Sequence, residues 1–176
     1  MKTLSEKQAL LKLRTLKNDF RAFIKQNYEH RAKDCGTCET KGACCLDAHF
    51  VNVHITKLEA VLIAEELAKF SAEKQHEIYQ RIEETVKKYD LKSEGDSFQK
   101  TFACPLFEKN VGCLIHSVKP IPCIAHACYE RREDLPPDAL QTETETNIER
   151  LDKHTYKKFS RWLSLPVRLQ SQNRER

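Results

Sequence analysis

The chain has 176 residues, of which 40% belong to the hydrophobic class and 32% are charged, and its formal net charge is +4. This length suits one domain with a hydrophobic core of its own, which excludes a small fold that depends on disulfide bonds. The weak net charge does not favour a nucleic-acid-binding protein, and a total of four glycines argues against a sheet-rich fold.

The N-terminal segment, residues 1–34, predicts an amphipathic helix over about residues 5–30. Apolar residues recur there at spacings of three and four, with lysine and arginine on the other face; the apolar positions are Leu10, Leu13, Leu16, Phe20, Phe23, Ile24 and Tyr28. The basic face is a candidate contact for a protein partner, although the interspersed acids favour a simple solvated face. The chain shows neither a secretory signal nor a membrane-length apolar run, so we predict a cytoplasmic protein that is not inserted in a membrane.

A cysteine loop and two capped helices follow in chain order. Residues 35–45 form the loop, and residues 50–55 alternate in the manner of a short strand. Thr56 and Glu59 have the spacing of a capping box, which predicts a helix that ends near residue 70. Ser71 then caps another helix that is predicted to end near residue 89.

The last third of the chain combines a second cysteine region with a helix. Residues 102–129 contain prolines that predict irregular structure with short strands or single helical turns. A helix is predicted over about residues 140–163, and a loosely ordered basic tail over residues 164–176.

The predicted fold is therefore mainly α, a small helical domain in which metal ligation brings two irregular cysteine-rich loops together. Its segments are an N-terminal amphipathic helix (1–34), a cysteine-cluster metal-binding domain (35–129) and a C-terminal helix with a basic tail (130–176), all within one compact unit.

The eight cysteines fall into two groups that are separated by a long stretch without cysteine. The first group is Cys35, Cys38, Cys44 and Cys45, and the second is Cys104, Cys113, Cys123 and Cys128. Cysteines that serve only as small core residues would be scattered, whereas clustering at loops rich in glycine and proline is typical of ligands. In the predicted reducing compartment such clusters indicate metal binding or thiol chemistry rather than disulfides.

The spacing of these cysteines favours an iron–sulfur cluster, with [4Fe-4S] as the favoured type. A structural zinc site usually has two short Cys-x2-Cys turns, and this chain has one, at Cys35 and Cys38. The adjacent Cys44 and Cys45 are expected to point in different directions, which suits two metal atoms or two sites. The proline after Cys104 resembles the Cys-Pro pair of bacterial ferredoxins.

Two alternatives remain open at this point. Eight thiolates could also make two closed four-cysteine zinc sites, in a zinc-stabilised interaction or adaptor module without catalysis. A thiol oxidoreductase centred on Cys35 and Cys38 is the third hypothesis, although no thioredoxin-like strand–helix–strand pattern surrounds the motif. His116 and His126 are secondary candidates for metal ligands or for donors to a bound sulfur. The sequence does not decide whether the protein is an enzyme.

An ordered set of motifs lies between Cys35 and Cys128. Its members are Cys35-x2-Cys38, Gly42-Ala43-Cys44-Cys45, Cys104-Pro105-Leu106, Gly112-Cys113-Leu114-Ile115 and Lys119-Pro120-Ile121-Pro122-Cys123, followed by Cys128. With this set the chain resembles the YkgJ-like CxxCxxCC cysteine-cluster family of zinc- or iron-chelating domains. The resemblance implies a metal-binding module whose ligands are the eight cysteines, serving electron transfer or a modification reaction.

The chain departs from the family pattern at several positions. Glu39-Thr40-Lys41 is an apparent insertion before the double cysteine, His116 replaces the usual tyrosine, and Lys119 and Ile124 replace arginines. Similar modules occur in flagellin lysine N-methylases, but no strand with a glycine-rich loop and helix for a methyl donor is visible here, so that activity is not carried over.

Overall fold

The structure, a computed structural model, describes residues 3–33, 39, 42–46, 51–93, 99–157 and 161–175. In these ranges it is mainly helical, which confirms the predicted fold class. The helices are α1 (Glu6–Asn27), α2 (Lys57–Leu67), α3 (Ala72–Lys88), α4 (Ile121–Ala125), α5 (Asp138–Tyr156) and α6 (Leu165–Arg174). The short strands are β1 (Ala32–Lys33), β2 (His54–Ile55), β3 (Phe107–Glu108), β4 (Gly112–Cys113), β5 (Cys128–Tyr129) and β6 (Leu163–Ser164).

The chain divides into two compact units, and each is assembled from segments that are distant in sequence. The first unit combines Met1–Lys41 with Lys119–Ser160, and the second combines Gly42–Val118 with Arg161–Arg176. This division differs from the three predicted segments, because it groups the N-terminal helix with α5 and separates α5 from α6.

The first unit is built around α1, which packs against α4 and α5. Ser5 and Gln8 form a capping box at its start, so that two backbone N–H groups of the first turn are satisfied by side chains. Strands β1 and β5 form an antiparallel pair after the helix, with Lys33 opposite Cys128. This pair holds a cysteine of the second group beside the chain segment that leads into the first group.

The buried face of α1 differs in part from the predicted one. Leu13, Phe20 and Ile24 are buried as expected, but Phe23 is 43% exposed. Lys17, which the pattern assigned to the solvated face, is only 1% exposed, and the contacting helix α5 buries an opposite charge at Asp152. The buried surface therefore extends from the apolar stripe towards Lys17 and leaves Phe23 outside it.

The second unit packs α6 against both α2 and α3. Helix α2 begins at the predicted capping box, where the Glu59 carboxylate accepts from the Thr56 N–H at 3.1 Å and the Thr56 hydroxyl accepts from the Glu59 N–H at 3.3 Å. Helix α3 is capped by Ser71 and buries Ile78 and Ile82, which confirms both predicted helices.

The prediction of a loosely ordered tail over residues 164–176 is wrong. Residues Leu165–Arg174 form α6, which buries Leu165, Pro166, Val167 and Leu169. The predicted helix over residues 140–163 instead ends at Tyr156, where Lys157 turns into the left-handed region with a φ of 57°. Pro166 lies in the first turn of α6, where its missing N–H leaves no intrahelical bond unmade. The apolar residues of this segment thus belong to a separate strand and helix of the core.

Over the described ranges, none of the helices combines the length and the apolar character that crossing a membrane requires.

Candidate metal centre

Six of the eight predicted ligands lie in the described part of the chain, where none of them forms a disulfide. The second unit contains Cys44, Cys45, Cys104 and Cys113, and the first unit contains Cys123 and Cys128. Cys35 and Cys38 lie outside the described residues. Each unit thus draws cysteines from the second sequence group, and the second unit draws on both groups.

A tight turn presents the double cysteine. Gly42 adopts a φ of 82°, and the single 3-10 turn Ala43–Cys45 follows, with the Cys45 N–H donating to the Gly42 carbonyl at 2.8 Å. The phenyl ring of Phe107 lies directly against this glycine, because a Cβ atom at position 42 would be 1.8 Å from the ring atom Cζ. Only glycine satisfies both the backbone angle and the close approach of the ring.

Backbone hydrogen bonds connect this turn to the second cysteine group. The Cys104 N–H donates to the Cys45 carbonyl at 2.8 Å. Strands β3 and β4 then form a hairpin in which Phe107 is paired with Cys113. Because the same hairpin packs Phe107 on the Gly42 turn, the segments of Cys45, Cys104 and Cys113 are held close together. In the second unit, the segment of Cys44 and Cys45 therefore lies beside part of the second group, and the metal ligation of the two loops stays a prediction.

The thiol of Cys45 is strongly influenced by its neighbours. A hydrogen bond with the Cys44 thiol, burial, and the charges that Cys104, Cys44 and Cys113 would carry all raise the pKa of Cys45 well above its usual value. Each of the other three cysteines of the unit therefore contributes to the electrostatic environment of Cys45. That Cys44 and Cys45 point in different directions stays a prediction.

Two opposing sets of effects act on the pKa of the Cys104 thiol. Burial raises the pKa of Cys104 to about 12, with a smaller contribution from Cys113. The backbone N–H groups of Leu106 and Phe107 and the charge of Arg81 act in the opposite direction, since they favour the thiolate. Pro105 has no N–H group, so the first backbone N–H groups after Cys104 are those of Leu106 and Phe107.

The first unit places Cys128 and Cys123 close in sequence and on successive elements, β5 and α4. Cys128 pairs with Lys33, and Cys35 and Cys38 follow Lys33 in the sequence by two and five residues. The two secondary candidates, His116 and His126, are exposed.

Within the described ranges, no three cysteine, histidine, aspartate or glutamate side chains are arranged so that they could hold one metal ion. Backbone contacts thus bring the cysteine segments of the second unit together, but the cysteine side chains are not oriented towards a common point.

The raised pKa of Cys104 predicts a pH dependence for metal-free protein. Below pH 9 this thiol is protonated in both the folded and the unfolded chain, and its stabilising contribution is complete. Between its usual pKa of 9.0 and the folded value of about 12, the unfolded chain loses the proton while the folded protein keeps it. The free energy of unfolding should therefore fall as the pH rises through this range.

Urea unfolding of metal-free protein at about pH 8 and about pH 10.5, compared with a Cys104→Ala variant, measures this contribution. We expect a smaller decrease in the variant. An equal decrease in both proteins would show that the Cys104 thiol titrates normally.

Two residues that the sequence analysis did not single out contribute to this site. Phe107 packs on the Gly42 turn, and nothing in the sequence around it distinguishes it from an ordinary strand residue. The sequence does contain a signal for Arg81. Basic residues recur at intervals of seven on α3, at Lys74, Arg81 and Lys88, and so share one helix face.

Comparison of the chain with protein-family models, with curated proteins and with solved structures gives no match.

Proposed function

We propose that this chain is a metal-binding protein that holds an iron–sulfur cluster, with [4Fe-4S] favoured, through its cysteines. The observation that carries this proposal is the proximity of the segments of Cys45, Cys104 and Cys113, which a backbone hydrogen bond and the β3–β4 pair hold close together in the second unit. We also propose, on the motifs between residues 35 and 128, that the chain is a member of the YkgJ-like cysteine-cluster family and acts in the cytoplasm.

Thiols in this arrangement suit a cation. The hydrogen bond with Cys44 and burial raise the pKa of Cys45, and repulsion between neighbouring thiolates raises it further. A bound metal reverses this effect, since it stabilises each thiolate directly. All of the donors are sulfur, the ligand type preferred by iron–sulfur clusters and zinc over magnesium or calcium.

The backbone around Cys104 supports the iron–sulfur alternative in particular. Hydrogen bonds from backbone N–H groups to ligand sulfurs help to set the reduction potential of an iron–sulfur cluster. The backbone N–H groups of Leu106 and Phe107 lower the pKa of the Cys104 thiol and so favour its thiolate. A cluster bound here would supply one-electron transfer or a Lewis-acidic iron. The cysteines would ligate the cluster, and the backbone N–H groups of Leu106 and Phe107 would favour the Cys104 thiolate. The Phe107 ring would limit the contact of the cluster with water.

The cysteines of the first unit are proposed as a second part of the ligand set. Cys128 is held opposite Lys33 by the β1–β5 pair, which places it beside the segment that leads to Cys35 and Cys38. Cys123 belongs to α4, which packs against α1 in the same unit.

The experiment that tests this function is elemental analysis of anaerobically purified protein for iron, zinc and acid-labile sulfide, together with a visible absorption spectrum. Iron and sulfide in equal amounts, about four of each per cluster, with broad visible absorption, are the expected result. Zinc without sulfide would replace the cluster by a structural metal site and direct attention to binding partners. Protein that takes up neither metal, even after reconstitution, would overturn the proposal.

A further inference from the structure

The two residues of β3 connect the cysteine hairpin to different parts of the second unit. Because successive side chains of a strand point to opposite faces, Phe107 and Glu108 leave β3 in different directions. Phe107 packs on the turn at Gly42. Glu108 lies against α3, where its carboxylate is 2.7 Å from Nζ of Lys74 and 3.8 Å from Nη2 of Arg81. Lys74, Arg81 and Glu108 together form the α3–β3 charge cluster.

The α3–β3 charge cluster is largely shielded from water. The exposed fraction of the side chain is 25% for Lys74, 27% for Arg81 and 28% for Glu108. Nε and Nη2 of Arg81 and Oε2 of Glu108 have almost no contact with solvent. Partly buried charges are screened much less by salt than exposed ones, so this cluster acts on neighbouring groups more strongly than a solvated ion pair does.

The shielded part of this surface carries an excess of positive charge. The α3–β3 charge cluster has two cations and one carboxylate. Three more charged residues lie beside it: Glu77, whose carboxylate is 3.0 Å from Lys74, and Glu84 and Lys88, which line the same cavity as Arg81. These three side chains are exposed, so water and salt weaken their effect. All six charges cancel in number, but the three shielded ones do not.

This excess charge lies next to a proposed ligand. Arg81 and Cys104 both line a cavity of about 240 Å³ between α3 and the segment that precedes β3. Burial raises the pKa of Cys104, and the positive charge of Arg81 acts against that effect. Metal binding converts neutral thiols into thiolates and makes the site more negative, so a cation held at this place favours the loaded site.

We propose that Arg81 is the counter-cation of the metal centre and that Glu108 is the residue that positions it. This inference rests on the proposed function and names the residues that control the charge of the same site. Arg81 stabilises the thiolate ligands and the more negative, reduced state of a bound cluster. Glu108 holds Arg81 against the hairpin and offsets part of its charge. Both are positioning residues, since they act on the metal through the ligand sulfur.

The test on metal-loaded full-length chain compares substitutions that change the charge in opposite directions. Arg81→Gln should lower the reduction potential of the cluster, and Glu108→Gln should raise it, because the reduced cluster carries one more negative charge. Arg81→Lys should retain most of the wild-type potential. The matched control Lys87→Gln, an exposed lysine on the same helix outside the cavity, should leave it unchanged. If the metal is zinc, its affinity is measured instead, with the same order of variants.

A second measurement uses metal-free protein. The rate at which iodoacetamide alkylates Cys104 at about pH 8.5 follows the thiolate fraction, and it is read from the tryptic peptide 101–109, in which Cys104 is the single cysteine. Arg81→Gln should slow this reaction several-fold, and Glu108→Gln should accelerate it. Melting curves verify the folding of each variant. If Glu108→Gln does not fold, Lys74→Gln replaces it and should slow the reaction, less than Arg81→Gln does.

A purely structural role predicts a different result, in which Arg81→Gln and Glu108→Gln shift the potential and the alkylation rate in the same direction. That result, or no shift in either variant, would overturn the inference. Opposite shifts of the alkylation rate in protein that never takes up metal would support the charge at Cys104 while removing the proposed function. A metal-loaded protein that is indifferent to both substitutions would do the reverse.

Discussion

Replacing Cys104 by serine is expected to abolish the metal binding that we propose for the second unit. Serine has nearly the same shape, but its hydroxyl is a hard and weakly acidic ligand that suits neither an iron–sulfur cluster nor zinc. Loss of a partner that only supports a ligand typically costs 10–100-fold in metal affinity, so loss of the ligand itself should cost at least about 100-fold.

Cys104 is the most informative cysteine for this test, because its structural connections are backbone ones. The bonds from Cys104 N–H to the Cys45 carbonyl and from Phe107 N–H to the Cys104 carbonyl do not involve the sulfur and survive the substitution. Metal content and resistance to a chelator are measured on Cys104→Ser and on the neighbouring Ala103→Ser variant, which keeps every thiol. If Cys104→Ser retained full metal and full resistance, Cys104 would not be a ligand.

Substitution of Gly42 by alanine is expected to destabilise the second unit by about 2–5 kcal/mol. A left-handed backbone costs a residue with a Cβ about 1–2 kcal/mol, and forced overlap in a packed site costs about 1–3 kcal/mol more. The new Cβ would lie 1.8 Å from Cζ, 2.2 Å from Cε2 and 2.6 Å from Cε1 of Phe107, so the Phe107 ring or the turn must shift. Metal affinity should fall as well, since the ring connects the turn to the hairpin.

The chain supplies a matched control in Gly112. Its φ is also positive, at 100°, but a Cβ there meets nothing within 4 Å, so Gly112→Ala should show the backbone cost alone. Chemical unfolding measures both variants, and a Gly42→Ala/Phe107→Leu double variant should recover part of the loss, which defines a coupling energy. Equal destabilisation by the two alanine variants would mean that the ring does not pack on the turn.

Local features of this fold could be predicted from the sequence because their causes are local. The capping residues Ser71 and Thr56 act on backbone groups within one turn, and both helices begin where these residues predict. Prolines and glycines in the second cysteine region likewise predicted the short strands and single turns that the structure contains.

Other features depend on contacts between distant segments. The burial of Lys17 and the exposure of Phe23 are decided by where α4 and α5 pack on α1, which periodicity alone does not specify. Helix α6 was missed because a short segment with few apolar residues gains its stability from packing between α2 and α3 rather than from its own pattern.

The candidate site shows the same distinction. The residue type and the sequence grouping of the proposed ligands were evident from the sequence. Which segments carrying them pair with one another was not. Strands of two residues are too short to show the alternation of apolar and polar residues that fixes a register. The pairing of Phe107 with Cys113 and of Lys33 with Cys128 could therefore not be predicted.

The assembly of each unit from distant segments has a consequence for biosynthesis. At typical rates of about 5–20 residues per second, the ribosome makes Cys113 roughly 3–14 seconds after Cys45. Helix α6, which completes the packing of α2 and α3, is translated later still. During this interval the thiols of the double cysteine have no partners from the second group and are open to oxidation or to a stray metal ion. Loading of the proposed metal would therefore follow translation of the whole cysteine set, by delivery to a finished backbone rather than by capture on the emerging chain.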